Sequence, residues 1–182
     1  SDVGEIGFVD ITNPAAPVAD GSLPVSGSPT SVTVTPNGAW ALVATDTSDD
    51  DFIDPSGDLL VVNLTTRMVE GTIALGGQPD SLAVSADGRY AAVAIENQRD
   101  EDLNGGALPQ LPAGNLTIVD LLGAPAAWTT RVVSLTGLAS AFEPTDPEAE
   151  FVDINAANVA AVTLQENNAV ALVDLATGTV ID

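Results

Sequence analysis

Two stretches of the chain gather carboxylates closely enough to bind or react. The first stretch runs Asp46-Thr47-Ser48-Asp49-Asp50-Asp51-Phe52-Ile53-Asp54, and the second runs Glu96-Asn97-Gln98-Arg99-Asp100-Glu101-Asp102. Converging carboxylates with amide and backbone oxygens suit a hard cation such as Ca²⁺, which takes roughly six to eight oxygen ligands in forgiving geometry. The candidate ligand set is Asp46, Asp49, Asp50, Asp51, Asp80, Glu96, Asp100, Asp102, Glu148 and Glu166. Their spacing does not match an EF-hand loop. A solvated acidic surface that keeps the chain soluble is the alternative reading of the same residues.

Other chemistries are narrowed by what is missing. The sequence holds no His and no Cys, so it offers no Ser-His-Asp or Cys-His arrangement and neither imidazole nor thiolate metal ligands. A carboxylate pair could still serve acid-base chemistry, given the right separation. Phosphate-ester chemistry wants clustered cations, yet the positive residues are Arg67, Arg89, Arg99 and Arg131, scattered along the chain. Only Arg99 falls in an acidic stretch. A formal net charge of -22 would repel nucleic acid or an anionic membrane surface. No apolar run reaches the length of a membrane span, and the amino terminus lacks a basic region followed by an apolar one.

The elements that must position these carboxylates are repeated. Residues 27–46, GSPTSVTVTPNGAWALVATD, align without a gap on residues 77–96, GQPDSLAVSADGRYAAVAIE. Each copy reads as an apolar strand, an Asn-Gly or Asp-Gly turn and a second apolar strand, which predicts a hairpin. A second pattern, an apolar strand closed by Asp or Asn and then Ile or Leu, ends at Asp10, Asn63, Asp120 and Asp174. Further β-rich runs follow at Met68 to Leu75 and Arg131 to Leu135. Each unit therefore holds four strands, A and B from the hairpin, C from the second pattern and D after it.

Four antiparallel strands repeated at fifty-odd residues predict an all-β chain built as a β-propeller segment. A β-sandwich also uses short strands, but it has no reason to repeat one hairpin in phase. Residues 1–25 read as a half-blade of strands C and D, 27–76 as a complete blade, 77–136 as a blade with a long acidic loop, and 137–182 as a last blade with strand D truncated. That makes about three and a half blades, while a closed ring needs at least about four. The chain is therefore expected to be part of a larger propeller, its open edges pairing with the missing remainder or with another copy of the chain. Strand B ends beside a carboxylate in each unit, at Asp46, Glu96 and Glu166, and the B-to-C and D-to-A connections should share one face. Trp40 and Tyr90, equivalent at the start of strand B, are expected to pack between blades.

The motif P-x-S-hydrophobic-x-V-(S/T)-x-(N/D)-G-x-aromatic-A, at Pro29 to Ala41 and Pro79 to Ala91, resembles bacterial YVTN and lactonase-like propeller repeats. The runs AIENQRDEDLNGGALPQLPAGNLTIVDL (94–121) and AAVTLQENNAVALVDLATG (160–178) are similar to exported esterase-like phytase or alkaline-phosphatase-like propellers and to choice-of-anchor surface proteins. The resemblance implies a propeller with a periplasmic or extracellular, cell-surface address. Two functions follow from it. One is a non-catalytic propeller segment that presents an acidic, Ca²⁺-loaded loop face to a partner or surface polymer. The other is part of a Ca²⁺-dependent phytase-like phosphoesterase whose cationic residues lie elsewhere. No nucleic-acid partner and no membrane insertion are expected.

Overall fold

A computed structural model describes residues 4–49, 53–100 and 102–181. The strands are β1 (Glu5–Asp10), β2 (Val18–Pro24), β3 (Ser28–Val34), β4 (Trp40–Asp46), β5 (Gly57–Asn63), β6 (Met68–Ala74) and β7 (Pro79–Val84). They continue as β8 (Tyr90–Ile95), β9 (Asn115–Asp120), β10 (Thr129–Ser134), β11 (Val152–Ile154), β12 (Val159–Leu164), β13 (Ala169–Asp174) and β14 (Thr179–Val180). Strands β3 to β6, β7 to β10 and β11 to β14 form three four-stranded antiparallel sheets in sequence order, and β1 and β2 form a two-stranded one. The helical content among the described residues is two single 3-10 turns, Leu103–Gly105 and Pro125–Ala127. The chain is an all-β propeller segment.

Local chemistry builds the same hairpin three times. In the first, Thr35 N–H donates to the Trp40 carbonyl at 2.9 Å, Gly38 sits at φ +68°, and Asn37 Oδ1 accepts from Ala39 N–H at 3.0 Å. The second repeats it with Ser85, Gly88 and Asp87, in the same register and with the same bulge between its Pro and Ser. The third lacks the glycine, and Asn158 takes the left-handed conformation at φ +60° that Asn tolerates better than most residues. The recurring Asp or Asn after strand C also has a task. The side chains of Asp10, Asn63 and Asp174 accept backbone N–H groups two or three residues on, turning the chain into strand D.

The middle strands are apolar throughout because both of their faces are covered. Leu42, Ala44, Leu59 and Val61 pack onto Leu82, Val93 and Ile95 of the next sheet, while Ala41, Val43, Leu60 and Val62 pack back onto Ile6, Leu23 and Val25. Ala92, Ala94, Leu116 and Ile118 meet Val152, Val162 and Val173 in turn. Tyr90 is buried and Trp40 packs against the core, as their repeat position suggested. The first strands of successive sheets, β3, β7 and β11, lie side by side.

Polar links recur at the sheet junctions. Ser31 Oγ accepts the Leu82 N–H at 3.1 Å, and Ser81 Oγ accepts the Val152 N–H at 3.2 Å. Arg67 pairs with Asp20 across one junction and covers the Phe8 ring at 4.6 Å, and Arg131 donates to the Leu175 carbonyl across another at 2.7 Å. Apolar residues stay exposed where the array is open, at Val9, Ile11 and Val18 on the first sheet and at Phe151 and Val170 on the last.

One position tests this packing. Leu82 is 7% exposed beneath the preceding sheet, whereas Val32, its counterpart in β3, is 60% exposed. Leu82→Ala is expected to cost about 2–5 kcal/mol in urea unfolding, and Val32→Ala less than about 0.5 kcal/mol. Equal losses would contradict the burial of Leu82 under the preceding sheet and the openness of Val32.

Candidate functional site

Two buried asparagines build the acidic rim. Asn97 follows β8 and Asn167 follows β12, each directly after the glutamate that ends strand B. Asn97 Oδ1 accepts the Gln78 N–H at 2.9 Å, and its amide nitrogen donates to the Pro112 and Ala113 carbonyls at 3.2 and 3.3 Å. Asn167 does the same in the next sheet. Its oxygen accepts the Glu148 N–H at 2.9 Å, and its nitrogen donates to the carbonyls of Phe142 at 2.8 Å and Asp146 at 2.9 Å. Each amide thus ties the chain leading into strand A to a long loop that has no ladder of its own.

Between these clamps lies a cleft of about 330 Å³ lined by Glu96, Arg99, Asp100, Gln110, Glu148 and Glu166 among others. Arg99 is its cation. Its Nε stands 2.6 Å from Glu148 Oε1 and 3.1 Å from Asp146 Oδ2, and its Nη2 donates to the Asp146 carbonyl. Gln110 N–H adds a bond to Asp146 Oδ2 at 3.0 Å. Glu148 Oε1 is enclosed and accepts no well-aligned hydrogen bond, so the Arg99 charge is what balances it.

Burial pushes the Glu96 carboxyl up to about 7, and the charges of Asp80, Glu148, Glu150 and Glu166 push in the same direction. Burial likewise raises Glu148 to about 7, with Arg99 pulling the other way and Glu166 and Asp146 adding to the rise. Asp80 and Glu150 are raised chiefly by burial. The cluster can therefore hold protons near neutrality, and it would release them to a bound cation.

The expected ligand set is divided by the structure. Glu96, Asp100, Glu148 and Glu166 line one cleft, with Asp80 close enough to act on Glu96. Asp46 lies outside it, accepting Ser48 N–H at 2.9 Å and Ser48 Oγ–H at 2.7 Å, and Gln78 Nε2 at 3.3 Å. Asp49 is exposed, and Asp102 stands at the start of the Leu103–Gly105 turn, its N–H bonded to Asp100 Oδ1 at 2.8 Å. Asp50 and Asp51 lie outside the described residues. Among the described residues no three carboxylates stand close enough to grip one metal ion unaided. Asp146, Glu150 and the two clamping asparagines were not singled out by the sequence reading. The repeated Glu-Asn pair at 96–97 and 166–167 was the signal available for the clamps.

The profile of the choice-of-anchor I domain matches residues 1–182. The chain belongs to the choice-of-anchor I family. No curated protein sequence matches it. Among solved structures it is similar to hydrazine synthase of Kuenenia stuttgartiensis, with a TM-score of 0.68 and 16% identity over 94% of this chain and 46% of that one. It is also similar to the Cps50 (Swd1) β-propeller domain of Myceliophteria thermophila, with a TM-score of 0.58 and 15% identity over 97% and 51%. A putative 6-phosphogluconolactonase from Bacteroides uniformis gives a TM-score of 0.59 and 16% identity over 97% and 46%. At such identities the likeness is one of fold, and the choice-of-anchor I chain spans about half the length of these structures.

In this choice-of-anchor I chain the Arg99–Glu148 pair should be pH-sensitive. Arg99→Met strands a buried carboxylate and is expected to cost about 3–5 kcal/mol at pH 8. At pH 5 the loss should be smaller, because Glu148, already raised, can take a proton instead. Adding Glu148→Gln should recover part of the loss at pH 8, since the buried Asp146 carboxylate keeps the Gln110 N–H but still lacks its arginine. Urea unfolding of the two variants at both pH values checks this, and a pH-independent loss would count against it.

Proposed function

We propose that the chain is a non-catalytic segment of an exported propeller held at the cell surface, and that its acidic rim binds Ca²⁺, which bridges it to oxygen ligands of a partner or surface polymer. Family membership supports the exported, surface-attached address. The observation that carries the binding reading is the convergence of Glu96, Glu148 and Glu166, from two adjacent blades, on one cleft holding a single arginine. Carboxyls raised toward neutrality by burial and mutual repulsion gain from a divalent cation, which displaces their protons and removes the repulsion. Because no ligand cage is pre-assembled among the described residues, the ion would draw the loops together and complete its shell with backbone oxygens and water.

A phosphoesterase reading gains nothing from this cleft. The arginine that would meet a phosphoryl oxygen is already paired with Asp146 and Glu148.

Calcium at 10 mM should raise the melting temperature at pH 8 by about 3–10 °C beyond an ionic-strength-matched NaCl control, as expected of a site with a dissociation constant of roughly 0.1–1 mM. At pH 5 the gain should shrink, because the ion must then displace protons from Glu96 and Glu148. Glu96→Gln with Glu166→Gln should abolish the calcium-specific part and leave the NaCl response. Equal shifts from the two salts would reduce the rim to a solvated acidic surface.

A further inference from the structure

The two-stranded sheet β1–β2 is seated as a full blade would be, yet none of the described residues covers the place beside it. Its seating is set by a glycine at the start of strand C. A Cβ on Gly4 would come within 2.1 Å of the Gly27 carbonyl, one on Gly57 within 2.7 Å of the Gly77 carbonyl, and one on Gly114 within 2.5 Å of the Pro147 carbonyl. The same close approach therefore joins each sheet to the next, the short one included. Ile6 and Leu23 pack onto the β4–β5 core as the corresponding residues of the later sheets do.

What is missing beside β1 can be read from the other two junctions. In those, the A–B hairpin of one sheet lies over the first strand of the next, burying Leu82 and Val152 and supplying the Ser31 and Ser81 hydroxyls that accept the Leu82 and Val152 N–H groups. At the first junction, among the described residues, β1 pairs with β2 alone, so its other edge has no strand, and Val32 is left exposed where Leu82 and Val152 are covered. An open slot of about 240 Å³ remains there, lined by Ile6, Gly7, Pro29, Ser31, Val32 and Val43. An unpaired strand edge next to exposed valines is a template for β-pairing.

We propose that this slot docks a β-hairpin of the same repeat, contributed by the remainder of the propeller ring. The hairpin's second strand pairs antiparallel with the free edge of β1. Its first strand lies along β3, a small or apolar side chain covers Val32, and a serine accepts the Val32 N–H. The solved propellers that this chain matches are about twice its length, which leaves room for such a segment.

The opposite end of the array is built differently. Phe151 stands where Ser31 and Ser81 stand in the earlier sheets, so the hydroxyl acceptor is replaced by a ring. The first slot is thus the one whose missing partner is specified by the repeat itself.

An isolated two-stranded hairpin is marginal in water, so the test supplies it covalently. The repeat's own hairpin, a copy of residues 77–96, is fused through a Gly/Ser linker ahead of residue 1 of the full chain, and a scrambled copy serves as control. The intact copy should raise the melting temperature by at least about 5 °C over the scramble. In that fusion Val32→Ala should lower it by several degrees, although the same substitution leaves the unfused chain unchanged. Replacing the copied serine with Val should remove part of the gain. No difference between intact and scrambled copies, with Val32→Ala silent in both, overturns the proposal. So does a dimer of the unfused chain that Val32→Asp weakens at least tenfold and that the fused hairpin fails to displace, because a second copy would then be the occupant.

Discussion

The middle strands of the β3–β6 and β7–β10 sheets are apolar on both faces, and neighbouring sheets of the same kind cover them. Leu42, Leu59 and Val61 on one side of the β3–β6 sheet and Val43, Leu60 and Val62 on the other are all nearly inaccessible to water. Burying both faces supplies the hydrophobic gain that a thin, four-stranded sheet could not obtain alone. The array is consequently stable in its interior and unsatisfied at its ends, and the exposed valines and Phe151 mark where it stops.

That constraint also decides where charge can go. With the faces of the middle strands closed to polar groups, acidic residues lie in the connections, at strand ends or, like Asp20, Glu70 and Asp153, on exposed positions of the outer strands. Three of the four arginines are engaged across junctions, Arg67 to Asp20, Arg99 to Asp146 and Glu148, and Arg131 to the Leu175 carbonyl. In a chain so short of positive charge, each such contact joins two sheets, and those of Arg67 and Arg99 also relieve local repulsion between carboxylates. The Asn97 and Asn167 amides act alongside them, holding long loops in place with neutral hydrogen bonds that add no further charge to the rim.

The rim is the place where this stability is least complete. Glu148 is buried with one cationic neighbour and no well-aligned donor at Oε1, and Glu96 is held among four other carboxylates. Groups that a fold keeps in such surroundings are costly, and they are concentrated at sites that bind or react. The neutral hairpin turns on the opposite side carry no comparable strain, since the Asp87 carboxylate there accepts from Ser85, Arg89 N–H and Asn158.

The hairpins and the succession of four-stranded antiparallel units were legible in the sequence, because these depend on contacts between near neighbours in the chain. Asn37-Gly38 and Asp87-Gly88 specify their turns, Asp10, Asn63 and Asp174 specify theirs, and runs such as Leu59 to Val62 announce burial on both faces. Tertiary structure alone decided which acids share a cleft. Asp46 ends its strand as Glu96 does, yet it turns into its own loop to accept from Ser48, while Glu148 is drawn inward by the Asn167 amide and by Arg99. Those outcomes depend on loops of unequal length packing against a neighbouring sheet. No periodicity encodes them, because the distance between residues some fifty to seventy positions apart is set only when the blades close on one another.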